Sequence, residues 1–141
     1  MIKLKNTTRG TIPNYEIMDT YRRAFHYPWW LFQRAFHLAD QYYKETNPAL
    51  ILNILAQDRT DLEEYVAEDF DCDDYAFRLM GVFHQNRETA AMPIFITWVL
   101  MPQGGHAVLS YYVAGTVRII EPQTDDIFDV PTDWKLLLLC G

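Results

Sequence analysis

Three residues in this chain carry side chains suited to nucleophilic chemistry, and they fall in an informative order. Cys72 sits in Asp69-Phe-Asp-Cys-Asp-Asp-Tyr-Ala-Phe77, His106 in Gly104-Gly-His-Ala-Val-Leu109, and Glu121 in Ile119-Ile-Glu-Pro-Gln-Thr124. A cysteine attacks as its thiolate, which unpaired N–H groups at a helix start and a neighbouring imidazolium both favour. A carboxylate on the second ring nitrogen fixes the imidazole's orientation. Cysteine, histidine and acid in this order therefore predict thiol-dependent acyl transfer, with Cys72 as nucleophile, His106 as base and Glu121 as orienting acid. Each residue alone has a plainer reading: a small buried hydrophobe, a satisfied histidine and a solvated acid.

The elements that would position these groups follow from periodicity. Cys72, Ala76, Leu79, Met80 and Phe83 recur on one helical face, and Asp71 or Asp69 is a natural N-cap before them. Earlier, residues 15–44 read as helical, with Tyr21, Ala24, Phe25, Trp29, Phe32, Ala35, Phe36, Leu38 and Ala39 at three- and four-residue steps and Pro28 separating two helices. Pro48 opens a short apolar helix through Leu55, and Thr60-Asp-Leu-Glu63 has the spacing of a capping box. After Arg87 the pattern turns to strand, over Ile94–Leu100, His106–Val113, Thr116–Ile120 and Trp134–Leu139. Helices first (15–86) and an antiparallel sheet second (92–140) predict a single α+β domain over residues 1–141. Half of the 141 residues are apolar, enough for a core.

Composition narrows the partners. The net charge of −7 is concentrated at Asp61, Glu63, Glu64, Glu68, Asp69, Asp71, Asp73 and Asp74, with no basic residue between them. No basic stripe exists to neutralise phosphates, so nucleic acid is not expected as a partner. The longest apolar run, Met92–Met101, contains Pro93 and is too short to span a bilayer. The Met-Ile-Lys-Leu-Lys start has no apolar stretch of a signal peptide, which predicts a soluble, cytoplasmic protein without membrane association. Two cysteines, Cys72 and Cys140, make no disulfide framework, and Cys140 in an apolar terminal segment is expected to pack.

The acidic run poses a physical problem for a thiol site, because nearby negative charge disfavours the thiolate. Calcium would offset it, taking six to eight oxygen ligands, and Asp73 and Asp74 are the first ligands to expect. The spacing matches no EF-hand loop, and the plainer reading is a solvated acidic face with an N-cap. His26, His37 and His84 show no zinc-like spacing. Trp29-Trp30 beside Pro28 reads as core, with a sugar or partner platform as the alternative.

Asp71-Cys-Asp-Asp-Tyr-Ala76, Gly105-His-Ala-Val108 and Ile120-Glu-Pro-Gln-Thr124 together resemble the transglutaminase-like and papain-like cysteine proteinases. The Glu-Pro-Gln segment is most similar to the papain-like C-terminal protease domain of the fungal chimerolectins typified by the Marasmius oreades agglutinin. The resemblance covers about residues 65–128 and implies a papain-like fold, a Cys72–His106–Glu121 triad, calcium-dependent proteolysis and a peptide or amide substrate. Such enzymes carry an oxyanion-hole glutamine about six residues before the cysteine, a position held here by Val66; Tyr65 and Gln57 are the candidate substitutes, and Gln123 joins Tyr65 as an expected oxyanion or supporting residue. Two alternatives stand beside it. One is a non-catalytic binding or assembly module that keeps the fold and forms a homodimer through its aromatic N-terminal half. The other is a peptidoglycan hydrolase of the Cys-His type.

Overall fold

The computed structural model describes residues 10–31 and 33–141; residues 1–9 and Phe32, one of the residues expected on the helical face, lie outside them. The elements run β1 (Thr11–Pro13), α1 (Asn14–Ala24), β2 (Phe36–His37), β3 (Tyr42–Lys44), α2 (Pro48–Gln57), α3 (Cys72–Gln85), α4 (Arg87–Ala90), β4 (Ile94–Met101), β5 (Gly104–Val113), β6 (Thr116–Ile120), β7 (Ile127–Asp129) and β8 (Lys135–Cys140). Single 3-10 turns fill Trp29–Leu31 and Thr60–Leu62. The α+β class expected from the sequence is what the structure shows.

Local chemistry accounts for the helices. In α1, Glu16 lies in the first turn and Arg22 and Arg23 in the last, each complementing the helix dipole. Asn47 caps α2 by accepting from the Leu50 N–H at 3.2 Å, and Pro48 takes the first helical position. Asp71 holds the N-cap position of α3, where its N–H donates to Asp74 Oδ2 at 3.2 Å. The helical reading of residues 15–44 holds only as far as Ala24. Beyond it the chain forms a 3-10 turn and two short strands, because Tyr42–Lys44 pairs with Thr11–Pro13, a partner thirty-odd positions away that no local periodicity reveals.

The main sheet has six strands in the order β2-β8-β4-β5-β6-β7. It is antiparallel except at one edge, where β2 runs parallel to β8, so the expected wholly antiparallel sheet is corrected there. Both faces are covered. Phe95, Val99, Val108, Tyr112, Ile119, Leu136 and Leu139 meet Ile17 and Tyr21 of α1, and Phe25 just after it, on one face. Ile94, Ile96, Ala107, Leu109, Tyr111 and Ile120 meet Ala76, Leu79, Met80 and Phe83 of α3, with Ile51 and Leu55 of α2, on the other. Within the α1 face, Tyr21 Oη, Ser110 Oγ and Thr97 Oγ1 form a buried hydroxyl chain with spacings of 2.7 and 2.6 Å. Burial drives the Tyr21 hydroxyl far above its ordinary range, so it stays protonated and can serve as a donor. Among the described residues, no helix is long and apolar enough to cross a membrane.

Candidate functional site

His106 enters β5 just after a tight connection, where Met101 pairs with Gly104. Gly104 has φ +134°, a conformation L side chains rarely adopt, and this fixes the turn. Neither Gly104 nor Gly105 has a neighbouring atom within 4 Å of where a Cβ would stand, so the pair shapes the turn and serves no close packing contact.

His106 Nε2 lies 2.6 Å from Glu121 Oε2, with the ring N–H donating and the carboxylate accepting. Both side chains are mostly buried, 14% and 18% exposed, so the contact is screened much less than a surface pair. Glu121 is itself held: its Oε1 accepts from the Gln123 N–H at 3.2 Å, and its own N–H donates to the Asp126 carbonyl at 2.9 Å. Gln123 therefore enters through its backbone, as a support for Glu121. The His106 ring meets Trp134 edge-on at 6.5 Å, and Trp134 in turn meets Phe128 at 5.7 Å.

Cys72 belongs to a different neighbourhood. Side chains alternate across a strand, so His106 shares its face with Val108, Ser110 and Tyr112, the α1 side, where Trp134 and Phe128 also pack. Cys72 packs on the α3 side, against the cluster that includes Ala107, Leu109 and Ile120, with Trp98 beside it. Among the described residues no hydrogen bond joins the Cys72 sulfur to His106, even at the longer reach allowed for sulfur. The expected triad thus divides. Two of its members meet, and the third packs on the other face of the same sheet.

Tyr65, expected near an oxyanion, lies on the Cys72 side. It is 53% exposed and stacks on Tyr75 with ring centroids 6.3 Å apart. Desolvation, then the nearby Asp71, Cys72, Asp73 and Glu68, raise its hydroxyl above the usual range. Asp71, Asp73 and Asp74 each offer an oxygen within 4.8 Å of the others. Calcium takes six to eight oxygens, and the Asp71 N–H already occupies Asp74 Oδ2, so these carboxylates match the expected calcium site only in part. Their evident work is to favour the start of α3, where the dipole is positive. Cys140, expected to pack, is exposed, whereas Cys72 is half-buried.

One surface feature carries more weight in the structure than in the sequence. Trp29 and Trp30, read as core, are 74% and 61% exposed and stand edge-to-face at 6.1 Å. Their chain neighbours Pro28 and Leu31 line a groove of about 390 Å³ together with Phe25, Tyr27, Trp134 and Leu137, with His26, Asp133 and Lys135 also in its lining. Exposed large apolar groups in one place mark an interaction surface. The sequence signal was available in Pro28, which disfavours a helix running on into the tryptophans; they form a 3-10 turn with no buried residue.

No family model and no curated protein matches the chain. Solved structures do share its fold. One, described as "PSL1a-E64 complex", aligns with a TM-score of 0.78 at 18% identity, over 93% of this chain and 51% of its own. Another is the Polyporus squamosus lectin bound to the human-type influenza-binding epitope Neu5Aca2-6Galb1-4GlcNAc, with a TM-score of 0.75 at 17% identity over 93% of this chain and 49% of its own. The chain thus spans about half the length of the structures it resembles, and at this identity the likeness is one of fold. The expected kinship with papain-like and transglutaminase-like cysteine proteinases is corrected by these matches. So is the expectation of a cysteine peptidase acting on a peptide or amide, since one of the matches is named a lectin holding a glycan epitope; the likeness itself extends to the fold.

Proposed function

We propose that this chain is a non-catalytic binding module of a carbohydrate-recognising protein. The observation that carries the reading is its fold likeness, over nearly its whole length, to half of a lectin that holds a sialylated glycan. The division of Cys72 from His106 supports the non-catalytic part, since a thiol without its base in hydrogen-bond reach lacks the arrangement that activates it.

The surface around Trp29 and Trp30 supports the binding part. A pyranose presents an apolar C–H face and a rim of hydroxyls, so its recognition calls for an aromatic plane flanked by a few polar groups. The exposed face of either indole can supply the plane, the two rings standing edge-to-face; Asp133, Lys135 and His26 in the nearby groove supply acceptors and donors. The His106–Glu121 pair serves this surface from behind, by seating Trp134 at the groove's inner wall. Cys72, Tyr65, Asp73 and Asp74 lie at the α3 start, outside the groove.

The test is calorimetric titration with sialylated and neutral oligosaccharides, on the wild type and on Trp29→Ala/Trp30→Ala. The reading expects saturable binding that weakens by at least about tenfold in the variant, with unchanged melting, since both indoles are exposed. Absence of binding to any oligosaccharide, or turnover of a peptide substrate that disappears in Cys72→Ala, would overturn it.

A further inference from the structure

Helix α1 ends in a left-handed turn of the kind that glycine most often makes. The Tyr27 N–H donates to the Arg22 carbonyl at 2.8 Å, and the His26 N–H to the Arg23 carbonyl at 3.3 Å. These are the paired end-of-helix bonds of the Schellman motif, which sets the residue just past the cap in the left-handed region. That residue is His26, with φ 50°. Glycine takes this conformation without steric cost, whereas a Cβ crowds the backbone there. The turn itself needs only backbone atoms, and nothing in the fold uses the imidazole that comes with it. Among the described residues, the His26 side chain makes no hydrogen bond, ion pair or ring contact, joins neither apolar cluster, and stands exposed. It lines the same groove as Asp133 and Lys135, which come from the far end of the chain.

We propose that His26 is a specificity-determining residue of this groove, held in a strained cap because its imidazole contacts the bound saccharide. The inference rests on the carbohydrate reading and assigns one contact within it. Backbone strain that no packing or hydrogen bond offsets marks a functional position. A neutral imidazole carries one donor and one acceptor, which suits two neighbouring sugar hydroxyls, each able to play either part. Asp133 supplies acceptors and Lys135 donors from a separate segment of the lining. Polar contacts from two segments fix how a sugar ring lies against the apolar lining, and so which arrangement of hydroxyls is accepted.

The experiment compares wild type, His26→Gly and His26→Ala by calorimetric titration with sialylated and with neutral lactosamine, and by thermal melting. Both variants should bind the saccharide that the wild type binds about three- to tenfold more weakly, the effect of one lost hydrogen bond. His26→Gly should also melt at least about 2 °C above the wild type, because the turn sheds its strain. His26→Ala keeps a Cβ and should not. A higher melting point with unchanged binding in His26→Gly would mean that the residue is only a cap, and would overturn the proposal. Weaker binding in His26→Gly alone would trace the loss to a loosened turn and overturn it as well. So would a His26→Gly protein that melts no higher than the wild type. A wild type that binds neither saccharide overturns the carbohydrate reading itself, and the His26 assignment falls with it.

Discussion

His106 has committed its Nε2 to Glu121, and that one bond governs what each residue can do. The pair is mostly buried, so removing one member strands the other. His106→Ala should leave a partly buried carboxylate with only the Gln123 N–H, at a cost of about 1–3 kcal/mol. Glu121→Gln keeps an acceptor and should cost less. Urea denaturation of both variants, read against Trp134 fluorescence, would show whether the order is as stated. Asp125 gives a second prediction at this scale, with a definite sign. Its folded carboxyl, raised to about 6 by burial and then by the charges of Asp61, Asp58 and Asp126, binds a proton more tightly than in the unfolded chain, where it stays near 3.8. The stability it contributes is therefore fully present below the unfolded value and is lost as pH rises towards the folded value. Asp125 is only half-buried, so solvent screening reduces the effect to roughly 1 kcal/mol. Melting curves across that interval should slope downward in the wild type and lie flatter in Asp125→Asn.

The same residues show how far the sequence could be read. Cys72 at a helix start, His106 near a strand start and Glu121 just after the next strand are all where the pattern placed them. What the pattern could not supply was the phase of β5. His106, Val108, Ser110 and Tyr112 alternate with Ala107, Leu109 and Tyr111, and both sets are buried, so neither face declares itself by polarity. A one-residue phase decides whether His106 looks towards α3 or α1, and only the packed sheet resolves it.

Among the elements, α3 was legible because its apolar spacing, its Asp71 cap and its acidic first turn agree with one another. That agreement makes the cap testable: Asp71→Ala should destabilise the fold by about 1 kcal/mol. Phe83, fully buried between α3 and the sheet, should cost about 3–5 kcal/mol on truncation to alanine. Thermal unfolding of the two variants would separate a frayed helix start from a cavity in the core. The region between Ala24 and Lys44 was not legible. Its aromatics recur at helical steps, yet Pro28 forbids a continuous helix and Tyr42–Lys44 is recruited by the distant strand Thr11–Pro13. Non-local pairing overrides local period wherever an extended aromatic segment finds an edge to join.

For the whole molecule, the sheet acts as a partition. The α3 side carries Cys72, Tyr65 and the acidic helix start; the α1 side carries His106, Glu121, Trp134 and, at its margin, the exposed tryptophans. This partition underlies the non-catalytic reading, so the measurement that tests it most directly is the rate of Cys72 alkylation by iodoacetamide as a function of pH, in the wild type and in His106→Ala. If the thiol and imidazole act independently, the two profiles superimpose, and exposed Cys140 labels faster than half-buried Cys72 in both proteins. A wild-type Cys72 that reacts on the order of tenfold faster than in His106→Ala below neutral pH would show a thiolate–imidazolium pair and contradict the account.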